Sequence, residues 1–305
     1  MDIAPASTPD LDGTTSVVRR ADRCQPGPDG PLRLQHGEAE IVMLSDGFFP
    51  LPSGIVAPAA LAAEWTDIET RLSGRGGEIH ACVNVPVLRI GRELIVVDLG
   101  GGGTFAPTEG SFFARFLAEG LDPRAVTRVL LTHAHPDHLG GLLDGEGRLR
   151  FPNGVYYLSG VEWAFWSDTA GTMPTPLVPF ALAARRNFAA MRDRVVHLTD
   201  GVELPGGLRA LATPGHTPGH LSFIVPGAKP LILAGDALTN EVVSVEHPAW
   251  HFGYDTNPNL AAATRAWLLD RLASDGGPAC AVHFAYPGLG RVERRGEGFR
   301  FIPFR

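Results

Sequence analysis

Apolar positions along the chain follow two periods, one typical of strands and one typical of helices. Apolar runs of strand length predict strands at residues 40–52, 125–133, 155–160, 208–216, 221–227, 231–236 and 279–284, with two more in 81–103 joined by a turn at Gly91 and Arg92. Helical spacing predicts helices at residues 110–123, 181–194 and 260–274, and one that begins at 161–166. Because strands and helices are mixed throughout, the pattern predicts one α/β domain of two or four layers.

The first 35 residues differ from this pattern and predict an extended N-terminal arm, so the domain boundaries are 1–35 and 36–305. Pro, Gly, Asp and Thr stand where a signal peptide needs an apolar centre. No later segment approaches the ~18 apolar residues of a membrane helix. We therefore expect a cytoplasmic protein that does not bind membranes.

Charge and cysteine content narrow the class of protein. The formal charge of −7 argues against a nucleic-acid binder and favours an enzyme acting on small molecules. The three cysteines are far apart and contain no C-x-x-C pair, so neither a disulfide framework nor a cysteine zinc site is expected. Cys82 and Cys280 lie in apolar runs and are interpreted as small buried hydrophobic residues.

The stretch THAHPDHLGG, residues 132–141, holds four side chains that can bind metal ions. In a helix, His133 and His135 would point in nearly opposite directions, so they can share an ion only from an extended backbone or a loop. Pro136 favours such a conformation before it and suits the first turn of a new helix, where Asp137 and His138 follow. One loop can therefore supply ligands to two ions.

Further ligands are expected where other apolar runs end. Residues 208–216 end at His216, which is preferred as a ligand over His220, and His220 is given a structural or supporting role. The strand 231–236 ends in Asp236, either a helix cap or a ligand, and 279–284 delivers His283. A lone histidine of this kind is usually structural, but four strand ends finishing in His or Asp favour a metal site.

This interpretation divides seven residues between two ions. One ion is assigned His133, His135 and His216, the other Asp137, His138 and His283, and Asp236 lies between them. Nitrogen and oxygen ligands without thiolate predict two Zn²⁺, with Mn²⁺, Fe²⁺ or Co²⁺ as alternatives. Two such ions can hold a hydroxide between them as the nucleophile, and Asp137 and Asp236 are the predicted catalytic residues.

The motif H-x-H-x-D-H, together with this ligand series, resembles the metallo-β-lactamase superfamily from about residue 40 to the end. The resemblance implies an αββα four-layer sandwich with a dinuclear site along one edge of its two sheets. The aspartate of LAGD, Asp236, makes the chain resemble the lactonase, glyoxalase II and RNase Z branches. The antibiotic-hydrolysing members lack this aspartate. YYLSGVEWAFW, TPGHTPGHLSF and HFAYPGLG resemble methyl parathion hydrolase and its lactonase and esterase relatives.

The resemblance implies a metal-dependent hydrolase of a neutral lactone or carboxylic ester, with phosphotriesters as secondary substrates. The alternatives are a phosphotriesterase of the methyl parathion type, a glyoxalase II-like thioesterase, or an iron-dependent oxidoreductase of the same fold. A non-catalytic scaffold is disfavoured because no ligand is lost. The expected partner is a small-molecule substrate, and a homodimer is the expected assembly.

The substrate pocket is less well defined by the sequence. Trp163 and Trp166 share one face of the predicted helix, which lines the site or belongs to the core. His251 and Tyr254 are candidate donors to the developing oxyanion, with capping of their loop as the alternative. The Pro-rich residues 171–180 show no helical period and are predicted to form a lid loop.

Overall fold

The structure, a computed structural model, describes residues 22–28, 30–168, 173–296 and 298–304. Residues 1–21 of the predicted arm, and residues 171–172 of the predicted lid, lie outside these ranges. Within them, no helix is both long enough and apolar enough to cross a membrane.

The first of two sheets has seven strands whose spatial order is their order in the chain. Its strands are β1 (Arg33–His36), β2 (Ala39–Pro52), β3 (Glu78–Ile90), β4 (Glu93–Val97), β5 (Arg128–Leu130), β6 (Val155–Ser159) and β7 (Val195–Leu198). β1 to β4 pair antiparallel, and β4 to β7 pair parallel. The parallel strands β4, β5 and β6 are connected through segments that cross outside the sheet, which brings their carboxyl ends to one edge.

The second sheet has six strands in the order β13, β12, β11, β10, β9, β8. Its strands are β8 (Arg209–Ala212), β9 (Leu221–Val225), β10 (Leu231–Leu233), β11 (Pro278–Cys280), β12 (Leu289–Arg295) and β13 (Gly298–Pro303). Only β10 and β11 pair parallel. The strands β5, β8, β10 and β11 all end before the His or Asp that the sequence placed at their ends, so these side chains lie in the loops beyond.

Eight α-helices accompany the sheets in the described ranges. They are α1 (Ser53–Val56), α2 (Ala62–Arg71), α3 (Phe112–Ala118), α4 (Pro136–Leu139), α5 (Gly160–Ser167), α6 (Val178–Met191), α7 (Val243–Glu246) and α8 (Pro258–Asp275). The prediction of a loop at residues 171–180 is wrong for its last three residues, because α6 begins at Val178. Pro179 at its first turn is compatible with a helix start, which the Pro-rich composition concealed.

Three apolar interfaces join the layers and confirm the predicted αββα four-layer sandwich. Along β2, Ile41 and Met43 face the interior between the sheets, while Val42 and Leu44 face the helices that cover the first sheet. This alternation is the period of two expected for a strand buried on both faces. The third interface packs α8 on the outer face of the second sheet.

Several short elements were not predicted. β1 lies in the predicted arm, and the predicted boundary at residues 35 and 36 falls inside it. α2 and β7 were also missed; β7 is an edge strand with the sequence VVHL and only one buried residue. Edge elements bury too few side chains to show a clear hydrophobic period.

The prediction of a free Cys82 is wrong, because Cys82 in β3 forms a disulfide with Cys24. Both residues are fully buried, and 58 positions separate them along the chain. The bond attaches the N-terminal segment to the first sheet. Cys280 is a buried free thiol, as predicted.

Candidate metal centre

The loop after β5 carries four of the predicted ligands. His135 has an extended backbone with φ −67° and ψ 154°, and Pro136 then begins α4. The extended conformation follows from the steric demand of Pro136 on the residue before it. Asp137 and His138 therefore leave from a different side of the turn than His133 and His135.

The first ligand group contains three imidazoles, His133, His135 and His216, with one ligand atom from each lying within 4.8 Å of the others. The Nε2 atom of His216 lies 2.9 Å from Nδ1 of His135. Nδ1 of His216 pairs at 3.0 Å with Asp255, whose other oxygen pairs with Arg265. This buried chain of contacts fixes the His216 ring.

The second ligand group contains Asp137, His138 and His283, again within 4.8 Å. An oxygen of Asp137 lies 3.2 Å from Nε2 of His138 and 3.3 Å from Nε2 of His283. Nδ1 of His138 donates to Asp98 at 2.8 Å, and Nδ1 of His283 donates to the Cys82 carbonyl at 2.7 Å. Each outward nitrogen is thereby occupied, so that Nε2 of both rings faces the centre.

Asp236 lies between the two groups. One of its oxygens is 3.2 Å from both His138 and His283, and the other is 3.3 Å from His216. It also forms a third potential ligand group with His133 and His138. The structure thus brings together all seven residues assigned from the sequence, and each is buried.

Unsatisfied atoms at the centre test whether a metal fits. Nε2 of His133, His135 and His138 and one oxygen of Asp236 are buried without a hydrogen-bond partner among the described residues. Buried polar atoms are nearly always satisfied, so four such atoms converging on one place fit a site that binds cations. Imidazole and carboxylate donors without thiolate fit Zn²⁺, and also Mn²⁺, Fe²⁺ and Co²⁺.

The two groups differ in their protonation. Burial, followed by the neighbouring imidazoles, holds the pKa of His133 and of His135 well below the usual value. Burial also disfavours charge on His138 and His283, but nearby carboxylates outweigh it, so the pKa of His138 is raised and that of His283 reaches about 10. The pKa of Asp236 is lowered despite burial, because His283 and His138 stabilise its charge.

His220 lies beside the centre in the supporting position considered from the sequence. Its Nε2 accepts a hydrogen bond from the backbone N–H of Asp236 at 2.9 Å, and its Nδ1 lies 2.8 Å from the Thr213 hydroxyl. Both ring nitrogens are therefore engaged within the protein. His220 positions the loop that carries Asp236.

Glu162 is a positioning residue that the sequence analysis missed. Its fully buried carboxylate accepts hydrogen bonds from the backbone N–H of Ala134 at 3.1 Å and of Gly219 at 3.0 Å, and from the Trp166 indole at 2.6 Å. It thus joins the His133–His135 loop to the segment between His216 and His220. A glutamate inside an amphipathic helix carries no sequence signal for such a contact.

Asp98 was also missed, although a signal for it exists. It follows β4 directly, as Asp236 follows an apolar strand, and it accepts bonds from Thr132 and His138. Its backbone is left-handed, with φ 57°, an unusual conformation for a non-glycine residue that occurs mainly at functional sites. Strand ends thus mark supporting residues as well as ligands.

A cavity of about 20 Å³ lies against the ligands. Five aromatic or aliphatic residues line it, of which only Phe180, at the end of the predicted lid, lies in a segment that the sequence analysis selected: Phe49, Leu51, Phe105, Phe180 and Phe252. They come from four separate segments, so no local pattern could group them. Tyr254, which the sequence did select, also lines the cavity.

The other predicted pocket residues lie elsewhere. Trp166 is fully buried behind His135, with 5.4 Å between their ring centroids. Trp163 stacks on Phe188 at 4.3 Å, between α5 and α6. His251 is exposed to solvent, and neither it nor the two tryptophans are among the residues that line the cavity.

Comparison with protein families matches residues 83–283 to the metallo-beta-lactamase superfamily. Among curated proteins, the N-acyl homoserine lactonase AttM of Agrobacterium fabrum is 35% identical over 127 residues. The alignment covers 39% of this chain and 44% of AttM, so this chain spans less than half the length of that relative.

Two solved structures are similar over most of their length. AidC, described as a dizinc quorum-quenching lactonase in complex with a product, superposes with a TM-score of 0.84 at 26% identity. The hydrolase AbOPH, described as in the beta lactamase superfamily, also gives a TM-score of 0.84, at 25% identity. Each comparison covers 90% of this chain and 98% of the other.

Proposed function

The chain belongs to the metallo-beta-lactamase superfamily, and from this membership we propose that it is a dinuclear zinc-dependent hydrolase of neutral lactones or carboxylic esters. The observation that carries the proposal is the pair of ligand groups joined by Asp236, with four buried atoms that have no hydrogen-bond partner among the described residues. A single ion would leave one group unused. The likeness to AidC, described as a dizinc lactonase, supports the same assignment.

When bound, two divalent ions would activate water at neutral pH and stabilise the negative charge that develops on the substrate oxygens. Asp137 is placed to orient the nucleophilic water and to accept its proton, because its carboxylate lies at the centre beside His138 and His283. Asp236 holds the two groups at a constant separation through its two oxygens. His133, His135, His138, His216 and His283 complete the ligand set.

Tyr254 supplies a neutral donor at the cavity wall. Burial first, and the charge of Asp137 second, raise the pKa of its hydroxyl above the usual value, so the hydroxyl stays protonated at neutral pH. Such a hydroxyl can donate to the carbonyl oxygen of a substrate as that oxygen gains charge. We therefore assign Tyr254 a role in orienting the substrate.

The cavity wall favours an uncharged substrate. Apart from the ligands, it consists of aromatic and aliphatic side chains, and none of the described residues that line it is Lys or Arg. A substrate carboxylate would have no cation to pair with near the reacting bond, and its desolvation would be costly. Lactones and esters meet this condition.

Relative rates on four substrates test the proposal. We expect kcat/KM to be highest for an acyl-homoserine lactone or an aryl ester, lower for a dialkyl aryl phosphotriester and lowest for a glutathione thioester. Metal analysis of the purified protein should give about two zinc ions per chain. A preference for the thioester, or one iron and no hydrolysis, would overturn the assignment, whereas a dominant phosphotriesterase rate would move it to the methyl parathion type.

The location and assembly of the protein stay predictions. The buried Cys24–Cys82 disulfide argues against the cytoplasmic location expected from the sequence, because disulfides rarely persist in reducing compartments. Alkylation of the protein from its native source, followed by mass spectrometry, would show whether the disulfide is formed there, and so decide between a reducing and an oxidising compartment. The expected homodimer is testable by sedimentation.

A further inference from the structure

The cavity at the ligands is too small for any substrate. Its volume of about 20 Å³ holds roughly one water molecule, which needs about 10–15 Å³. A lactone or ester can therefore reach the ligands only if side chains of the wall move. The wall is mainly aromatic, so the rings that can turn away decide where the substrate extends.

Two of those rings also close a second space, which we call the side cavity. Its volume is about 510 Å³, within the ~300–1,000 Å³ typical of ligand pockets. Phe105 and Phe180 line both the side cavity and the cavity at the ligands. Their rings meet edge to face with centroids 6.1 Å apart, and both are only partly buried. Rotation of these rings would join the two spaces.

One face of α6 forms a long wall of the side cavity. Pro179, Ala183, Arg186 and Asn187 line it from the first turn of the helix onward, at the spacing of a single helical face. With a rise of ~1.5 Å per residue, Arg186 lies about 9 Å beyond Phe180 along the helix axis. The side cavity thus extends away from the metal ligands as an elongated space.

The charge of the side cavity is positive. Arg150 and Arg186 line it, and neither has an acidic partner within 4.0 Å among the described residues. Asp144, its one acidic lining residue, is paired with Arg148 at 2.9 Å. The Arg150 guanidinium lies over the Phe113 ring and donates to the Leu143 carbonyl, which fixes its position.

We propose that the side cavity binds the acyl chain of the substrate, and that its arginines select chains that end in a carboxylate. The inference rests on the proposed lactone or ester hydrolysis, to which it adds the substrate class. The acyl chain passes between Phe105 and Phe180 while the neutral ester group stays at the ligands. The apolar wall then contacts the methylene groups, and Arg186 pairs with the distal negative charge.

Filling the side cavity tests where the chain lies. Ala183→Phe places a ring on the cavity wall, and Ala190→Phe is the matched control on an exposed position of the same helix. We expect Ala183→Phe to lower kcat/KM for decanoyl-homoserine lactone at least about tenfold, the cost of losing several methylene contacts. Butyryl-homoserine lactone, which is too short to enter, should be hydrolysed at the wild-type rate by both variants.

Retained turnover of the butyryl substrate also shows that Ala183→Phe is folded, and Ala183→Leu provides a milder substitution if it is not. Equal losses on the short and long substrates, or no loss on either, would overturn the placement of the chain. If the wild-type protein hydrolyses no lactone or ester of any length, the proposed function fails first and the inference falls with it. The two failures are therefore distinguishable.

Charge selection is tested with two acyl chains of equal length, one ending in a methyl group and one in a carboxylate. Arg186→Gln should lower kcat/KM for the carboxylate-ended substrate about threefold, the size expected for an exposed ion pair, and leave the methyl-ended one unchanged. Arg192→Gln, at an exposed position beyond α6, is the control. An unchanged ratio between the two substrates in Arg186→Gln would overturn the selection by charge.

Discussion

The two ligand groups of the metal centre differ in charge although they meet at one carboxylate. His133, His135 and His216 are imidazoles, and the low pKa of His133 and His135 keeps those two rings neutral before any ion binds. The group of Asp137, His138 and His283 contains a carboxylate, and its two histidines have raised pKa values. Without a metal His133 and His135 are neutral, while Asp137 of the second group forms ion pairs with His138 and His283.

Because of this difference, binding of the same ion to the two groups requires different amounts of proton displacement. Binding to the first group displaces no proton from His133 or His135. Binding to the second displaces protons from His138 and His283, because a coordinated imidazole must be deprotonated. The protein therefore combines a site that is ready to bind with one whose occupancy depends on pH, and Asp236 couples them.

The largest effect is expected from removing the residue that the two groups share. Asp236→Ala should lower kcat/KM by about 10³-fold, the upper range for losing one electrostatic group in an active site, and should reduce the metal content. Steady-state kinetics with metal analysis would measure both. Asp193→Ala, at an exposed position, is the control, and near-normal turnover with one ion per chain would contradict the shared role of Asp236.

Lowering the pH should remove the ion of the second group first. His138 and His283 carry protons below their raised pKa values, and a metal ion must displace these protons to bind. For each pH unit by which the solution is acidified, the metal affinity of that group should therefore fall about tenfold per displaced proton. The first group should change little, because His133 and His135 are already neutral in this range. Chelator competition between about pH 6 and 8 would measure both affinities; parallel slopes would show that the groups do not differ in protonation.

The carboxylates behind the ligands should show a smaller difference between the groups. Asp98 orients His138, and Asp255 orients His216, but Asp255 is also paired with Arg265. Replacing such a carboxylate by Asn typically weakens metal binding about 10–100-fold. We expect Asp98→Asn to be near the upper end and Asp255→Asn near the lower, since Arg265 already offsets part of the Asp255 charge. Isothermal titration would reveal the order, and the reverse order would refute this reasoning.

The disulfide should affect stability more than catalysis. Cys82 holds His283 through its backbone carbonyl, which Cys82→Ala retains. Loss of the bond should lower the free energy of unfolding by about 2–4 kcal/mol, mainly by releasing the unfolded chain, while kcat/KM changes only slightly. Urea unfolding would measure this, with Cys280→Ala as the control for loss of a buried thiol. A large drop in kcat/KM at unchanged stability would contradict a structural role.

Much of the metal centre could be predicted from the sequence, because the residue patterns that mark its ligands are local. The turn at Pro136 separates His135 from Asp137 through the backbone preferences of adjacent residues, which need no tertiary contact. The ligands Asp236 and His283 follow apolar runs, and strands in one sheet deliver their ends to one edge.

The sequence favoured His216 over His220, but both follow the same strand, and only packing decides which ring joins the ligand group. The same holds for Glu162, whose partners Ala134 and Gly219 come from distant segments. The Cys24–Cys82 pairing and the aromatic wall around Phe105 also unite residues that no local pattern relates. The sequence by itself determined which chemical groups stand at the ends of the strands. Their partners were decided by the packing of two sheets and the helices over them, because contact between distant segments depends on the whole fold.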